Sequence, residues 1–268
     1  MNIVLFVFSG TGNTRFAAQA IADRFDGETV KLRSIEHHMD DAQKDVDDSD
    51  LVGIGYPIYG SDLPKIVKTF LANLTGKGKP CFVFCTQLLF SGDGAAVGGR
   101  LLRKRGFSVR WQEHFFLPNN ISDVALLRLF KRAAPEIIRE RTLRKAAAFV
   151  RRIRRGHLCR KGSNPFSLAL GLLQRIPFRA MEESWATTRL RVDKDLCVGC
   201  GICVNACPTD NFVLVEHKAL PGKACTLCYR CVNHCPVGAI HLAGNAKVVA
   251  YRGPKNETTW QELSGDSF

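Results

Sequence analysis

The sequence predicts an α/β fold: a doubly wound parallel sheet with helices on both faces, followed by a small α+β domain rich in cysteine. Three observations carry that expectation. Continuous apolar runs alternate with stretches of helical spacing over residues 1–118. A Ser-Gly-Thr-Gly-Asn-Thr turn joins the first run to the first helix. A cysteine pattern then occurs twice near the C-terminus.

Ile3 to Phe8 is apolar throughout, as expected of a strand buried on both faces. Phe16, Ala17, Ala20, Ile21 and Phe25 recur at helical spacing. Thr29–Leu32 reads as a weak second strand, and Asp50–Gly55 as a third, closed by Tyr56-Pro57. Leu63–Leu74 is a helix with Pro64 in its first turn, where proline is tolerated. Cys81–Cys85, Ala95–Arg105 and Phe107–Leu117 follow as strand, helix and strand. Strands alternating with helices make a parallel sheet. Residues 123–155 read as helical with a break at Pro135. Residues 156–186, with Gly156, Gly162, Pro165, Gly171 and Pro177, read as a linker. The expected division is therefore 1–120, a basic helical connector and linker at 121–186, a cysteine-rich domain at 187–245, and a polar tail at 246–268.

Of the 268 residues, 46% are apolar and 24% charged, an ordinary globular composition. No apolar run reaches the ~18–20 residues that span a bilayer. The start, Met1 to Phe8, is too short for a secretory signal and lacks a basic flank, so a cytoplasmic location is expected. In that compartment eleven cysteines point to metal or redox chemistry rather than disulfides. The net charge of +13 is uneven: residues 100–161 carry 18 Lys/Arg against 4 Asp/Glu. Leu126, Leu127, Leu129, Phe130, Ile137, Ile138, Leu143, Phe149, Val150 and Ile153 are interleaved with those arginines. This pattern suits an amphipathic helix with a solvated basic face, or a docking surface for an acidic redox partner at 126–155. No nucleic-acid fold motif is present, so no nucleic-acid partner is expected, while Phe166–Leu173 is expected to pack between the two domains, with contact to a membrane surface as the alternative.

The strongest signal is Cys197-x2-Cys200-x2-Cys203-x3-Cys207-Pro208, repeated 28 residues later as Cys225-x2-Cys228-x2-Cys231-x3-Cys235-Pro236. Val204-Asn205 and Val232-Asn233 recur at the same offset, so the segment is a duplication. Structural zinc sites use separated Cys-x2-Cys pairs, which leaves the third cysteine and the Cys-Pro without a role. The spacing is that of bacterial iron–sulfur runs, in which three cysteines bind one cubane and the fourth crosses to the other. Cys197, Cys200, Cys203 and Cys235 then hold one 4Fe-4S cluster, and Cys225, Cys228, Cys231 and Cys207 the second. Residues 187–245 resemble a bacterial two-cluster ferredoxin domain. They depart from it at Thr209-Asp210-Asn211-Phe212, where a change in packing or solvent access at one cluster is expected.

Ser9-Gly10-Thr11-Gly12-Asn13-Thr14 has neither the third glycine of a dinucleotide fingerprint nor the Gly-Lys-Ser/Thr of a triphosphate loop. Its glycines, hydroxyls and helix N-terminus suit one phosphate group. It resembles the phosphate loop of flavodoxins, and residues 1–118 suit their sheet of order 2-1-3-4-5. The resemblance implies FMN at the carboxyl ends of the strands, at the switch point. It also implies flavin walls after strands three and four. The first wall would be Pro57, Ile58, Tyr59 and Gly60, with Tyr59 as a stacking aromatic and Gly60 as a peptide that can flip. The second would be Thr86, Phe90, Gly92 and Asp93. The remaining cysteines, Cys81, Cys85 and Cys159, read as buried bystanders.

Together the two resemblances are similar to a family of flavodoxin–ferredoxin fusion proteins of anaerobic microbes. They imply an electron carrier that passes electrons between FMN and two clusters and so couples one- and two-electron partners. The alternative is a flavin-dependent iron–sulfur reductase of a small substrate, which requires a lidded pocket with acid–base residues; a carrier leaves the flavin edge open.

Overall fold

The computed structural model describes residues 1–129, 134–254 and 257–263. Residues 130–133, which include Phe130, and part of the tail lie outside the described residues. The sheet has six parallel strands in the order β2-β1-β3-β4-β5-β6. These are β1 (Asn2–Val7), β2 (Thr29–Ser34), β3 (Leu51–Pro57), β4 (Pro80–Gln87), β5 (Ser108–Phe116) and β6 (Cys159–Arg160). The first five have the expected order. The sixth is an added edge strand, two residues long, which pairs with Trp111 and Gln112. It falls in the segment read as a linker, because two residues carry no periodicity.

Helices α1 (Asn13–Ala22), α2 (Ala42–Asp48), α3 (Lys65–Asn73) and α4 (Gly94–Lys104) connect the strands. One core, on the α3/α4 face, gathers Phe6, Ile54, Phe70 and Val83. The other holds Leu5, Ile21, Phe82 and Phe115 beneath α1 and α5 (Pro135–Arg154). Helix α5 is therefore a layer of the sheet domain and not a connector. Its apolar stripe of Ile138, Ala146, Phe149, Val150 and Ile153 enters that core, and Phe149 meets Phe82 and Phe115 edge-on at 5.9 and 6.5 Å. The arginines that mask this stripe in the sequence stand on its outer face.

Residues 165–184 form a twenty-residue helix, α6, where glycines and prolines suggest a linker. Pro165 occupies the first turn, where its missing N–H costs nothing, and the Asn164 side chain caps the helix by accepting the Ser167 N–H at 2.8 Å. Gly171 lets the helix press on Gly92, and Pro177 sits inside it. Pro165, Gly171 and Pro177, read as breakers, thus each have a place in the helix.

The C-terminal domain pairs β7 (Arg191–Val192) with β10 (Ile240–His241), and β8 (Phe212–Val215) with β9 (Lys218–Pro221). Two short helices, α7 (Ile202–Asn205) and α8 (Arg230–His234), complete it. It sits on the carboxyl ends of the sheet. Arg230, on α8, is the largest fully buried side chain. It makes two 2.9 Å bonds to the Glu36 carboxylate and one each to the carbonyls of Ser9 (2.9 Å) and Ala206 (3.0 Å). Burial works to discharge the guanidinium, but the adjoining carboxylate holds its pKa above the usual value. Asn120 donates to the Cys228 carbonyl at 3.0 Å, and Asn233 to the Asn120 carbonyl at 2.9 Å. Asp123, fully buried, accepts the N–H groups of Leu242, Ala243 and Gly244 and the Tyr229 hydroxyl.

Removing one member of a buried ion pair strands the other, at a cost of about 3–5 kcal/mol. Glu36→Leu should therefore destabilise the holoprotein by that order in denaturant unfolding. Glu36→Leu/Arg230→Met should lose less than the single variant. A double variant as weak as the single one would show that the pair does not hold the domains.

Candidate functional site

The turn after β1 is built to leave space above it. Gly12 adopts a left-handed backbone (φ +99°) that lets α1 begin at Asn13. Ser9 Oγ accepts the N–H groups of Gly12 (3.1 Å) and Arg15 (3.3 Å), closing the loop on itself. Thr14 Oγ1 lies 2.9 Å from Thr86 Oγ1, which ties the loop to the end of β4. The first amides of α1 have no intrahelical acceptor and face an anion site. Ser9 thus supports the loop chiefly as an acceptor, while Thr11 and Thr14 are buried at the cavity itself.

Above the loop lies a cavity of about 240 Å³. Its walls come from Pro57–Gly60, from Thr86–Leu88, and from Pro118–Ile121 after β5. Phe178 of α6 and Trp185 just beyond it close one side; Leu227, Tyr229 and Leu242 of the C-terminal domain close another. Of the residues expected from the sequence, Ser9, Gly10, Thr11, Asn13, Thr14, Pro57, Ile58, Tyr59, Gly60 and Thr86 all line it, and Gly12 shapes the loop beneath. The Tyr59 hydroxyl rests against Gly10, and burial pushes its pKa well above the usual phenol value. Gly60 is left-handed (φ +52°), and a Cβ there would collide with the Phe178 ring.

Phe90, Gly92 and Asp93 do not line the cavity, which corrects the expected second wall. Phe90 is half exposed. Gly92 packs on Gly171, and Asp93 is buried between Arg100 and Arg175. The loop turns away because Gln87 donates to the Leu89 carbonyl at 3.0 Å and Arg175 draws Asp93 towards α6. Thr86, Gln87 and Leu88 form that wall instead. Sequence reasoning missed Asn119, Asn120, Phe178 and Trp185. The asparagines follow a predicted strand, so the rule that ligands bind beyond strand carboxyl ends could have found them. The aromatics belong to the unrecognised helix.

The eight repeat cysteines gather around two further cavities in the expected sets. Cys197, Cys200, Cys203 and Cys235 ring one, with Ile202, Leu214 and Ala239. Cys207, Cys225, Cys228 and Cys231 ring the other, with Phe212, Tyr229 and Arg230. In the second set burial pushes the Cys225 thiol up to about 11 and Cys228 to about 12, with Cys231 also well above the ordinary value. Thiolate there needs a cation, which a cluster supplies as protons leave. In the first set Cys200 is exposed, Cys203 is pushed up to about 11 by burial, and Cys197 is lowered, chiefly by the Ala219 N–H.

The Thr209–Phe212 departure falls on the second set. Cys207 Sγ accepts the Asn211 N–H at 3.3 Å and lies 3.5 Å from the Thr209 hydroxyl. Hydrogen bonds to cluster sulfurs tune the potential. Cys81 and Cys85 are buried in the α3/α4 core, and Cys159 in the other.

A 4Fe-4S binding domain model matches residues 190–212 and 223–241, and a flavodoxin domain model matches residues 4–116. The chain is a flavodoxin–ferredoxin fusion. Its domains imply FMN and two 4Fe-4S clusters as cofactors, and an electron-transfer role involving both. The residues fit these groups: a glycine-shaped phosphate loop beneath an aromatic cavity for the flavin, and two rings of four cysteines for the clusters. Among solved structures, a flavodoxin from the domain Archaea is 15% identical (57% of this chain, 99% of that one, TM-score 0.41). The Streptococcus pneumoniae TIGR4 flavodoxin is 18% identical (57% and 99%, TM-score 0.41). Two-electron reduced Megasphaera elsdenii flavodoxin is 26% identical (55% and 98%, TM-score 0.39). Among curated proteins none matches the chain. Among the described residues no helix is long and apolar enough to cross a membrane.

Replacing Thr11 and Thr14 with Val removes two hydroxyls from the phosphate site and preserves shape. A hydrogen bond to a charged group is worth about 1.5–3 kcal/mol, so FMN affinity should fall by roughly 10²–10⁴-fold. Iron content should hold, because the cysteines are a separate set. Fluorescence titration of the apoflavoprotein measures the first quantity and iron analysis the second; unaltered affinity would leave the loop a mere turn.

Proposed function

We propose that the chain carries electrons between FMN in the interdomain cavity and its two clusters, and so couples one- and two-electron redox partners. The observation that carries this reading is a shared wall. Tyr229 and Leu242 line both the flavin cavity and the cavity ringed by Cys207, Cys225, Cys228 and Cys231. The Cys228 carbonyl lies directly on Gly10 of the phosphate loop. In this proximal site Cys228 and Cys231 are buried and Cys207 and Cys225 half-buried, whereas the distal one exposes Cys200. The order is therefore flavin, proximal cluster, distal cluster, surface.

FMN exchanges one or two electrons and each cluster one, which is the chemistry the groups supply when bound. The chain's own residues fix their separation and exclude water. Phe178, Trp185 and Tyr229 cover the cavity with apolar surface, and Asn120 pins the Cys228 backbone beside it. The cavity is lidded, as a reductase requires, yet among the described residues no carboxylate, imidazole, amine or guanidinium lines it. Its two tyrosines, Tyr59 and Tyr229, are both shifted up by burial, away from proton exchange at neutral pH. A small substrate would find no proton donor there, which favours a carrier. The lid is the ferredoxin domain itself, so electrons leave through the clusters rather than across an open flavin edge.

The intact protein, purified anaerobically, should hold about eight irons per chain. After mixing with a substoichiometric reductant, flavin and cluster absorbance should equilibrate in a phase whose rate does not change with protein concentration. Cys200→Ala should slow exchange with an external one-electron acceptor and leave that internal phase intact. A rate that rises with protein concentration would mean the cofactors communicate only between molecules.

A further inference from the structure

Helix α6 is amphipathic in the wrong sense for a helix folded against a core. Its buried face carries Ser167, Gly171, Arg175 and Glu182. That face is held by polar bonds: Arg175 to the Ser61 carbonyl (3.1 Å) and to Asp93, and Arg179 to Asp62 (2.8 Å). Its outward face carries Phe166, Ala169, Leu172, Leu173, Ile176 and Ala180, all exposed. Phe166 is 70% exposed, Leu173 69% and Ile176 62%. At 1.5 Å per residue this is a continuous apolar stripe about 21 Å long. The loop that packs on the inner face of α6 through Gly92 also exposes Leu89 and Phe90, at 61% and 51%. Soluble monomers rarely expose a contiguous patch of this kind unless something covers it.

The charge that precedes the stripe along the chain selects what covers it. From Arg141 to Met181 the chain has eleven Lys/Arg and no Asp or Glu. Arg160 and Lys161, just ahead of α6, are exposed, as are Arg151, Arg152, Arg154 and Arg155 at the end of α5. A second copy of the chain, carrying the same net charge of +13, would meet this one with charge of the same sign. An exposed apolar face led by the exposed Arg160 and Lys161 matches an interfacial helix, whose apolar face enters the headgroup region while Lys and Arg bind anionic lipid.

We propose that the outward face of α6 seats the protein on the surface of an anionic bilayer, lying on it without spanning it. The same helix supplies Phe178 to the flavin cavity from another side, so seating leaves the cavity walls in place. Seating on the bilayer is independent of the direction of electron flow.

The test is co-sedimentation of the full holoprotein, as purified, with vesicles of phosphatidylglycerol and phosphatidylcholine, and with phosphatidylcholine alone. Binding is expected to the anionic vesicles, weakened but not abolished by salt, because the apolar contact is unscreened. Leu173→Glu/Ile176→Glu should reduce partitioning by about tenfold or more, with cluster absorption and thermal midpoint unchanged. If that variant misfolds, Leu173→Ser/Ile176→Ser replaces it. Failure of the native protein to bind anionic vesicles at low salt would overturn the proposal, as would equal binding by the folded variant. A native dimer in analytical ultracentrifugation that the variant converts to monomer would also overturn it and assign the stripe to self-association. Retention on an acidic protein surface with no affinity for vesicles would do the same in favour of a protein partner.

Discussion

The interdomain arrangement depends on one buried cation. Arg230 reaches out of the cysteine repeat, between Cys228 and Cys231, and ends in the other domain, on Glu36 and on the carbonyl of Ser9. An unpaired guanidinium could not be buried there, because the cost of removing it from water far exceeds one hydrogen bond. Glu36, its side chain 5% exposed, is a matching charge in a bidentate geometry. The pair therefore specifies more than adhesion. The placement of the ferredoxin domain that satisfies Arg230 also sets Cys228 on the phosphate loop. Gly10 is the counterpart on the other side, since any side chain there would meet the Cys228 carbonyl.

Around that anchor, polar groups fix what apolar contact alone would leave free to slide. Asp123 follows the fifth strand, and its carboxylate collects three successive amides of residues 242–244 together with the Tyr229 hydroxyl. Tyr229 is thereby locked in the wall between flavin cavity and proximal cluster. Asn120 and Asn233 link the same two backbones. A path for electrons needs short and constant separations more than it needs reactive side chains. The cavity walls supply rigidity and dryness and contain few groups that titrate.

The sequence made legible whatever was carried by local spacing. Five strands, the phosphate loop and both cysteine sets were readable because period and interval survive without tertiary context. The sixth strand was not, since Cys159–Arg160 has no pattern of its own and exists because β5 offers a free edge. Helix α5 was seen as a helix but not as a layer, because dense arginines hide the stripe of Phe149 and Val150. Helix α6 was lost because Pro165, Gly171 and Pro177 count as breakers in isolation. In the fold Pro165 starts the helix and Gly171 marks a close approach. The flavodoxin resemblance puts Phe90, Gly92 and Asp93 in the second wall, but the loop's path is set by Arg175, 82 residues further along the chain. Charge pairs that distant leave no periodic trace.

That last contact also explains why α6 is built inside out. The sheet domain presents Asp62 and Asp93 at the carboxyl ends of its strands, both nearly inaccessible to solvent. A helix covering them must bring cations inward, which it does with Arg175 and Arg179. Small residues at Ser167 and Gly171 let it approach closely enough for those bonds to form. With the inner face committed to polar partners, leucine and phenylalanine are left to the outer face, where they do nothing for the packing of this domain. An apolar stripe that the fold does not use internally is free to meet an external apolar phase. It follows the most cationic stretch of the chain directly in sequence, and that charge gives the phase its sign.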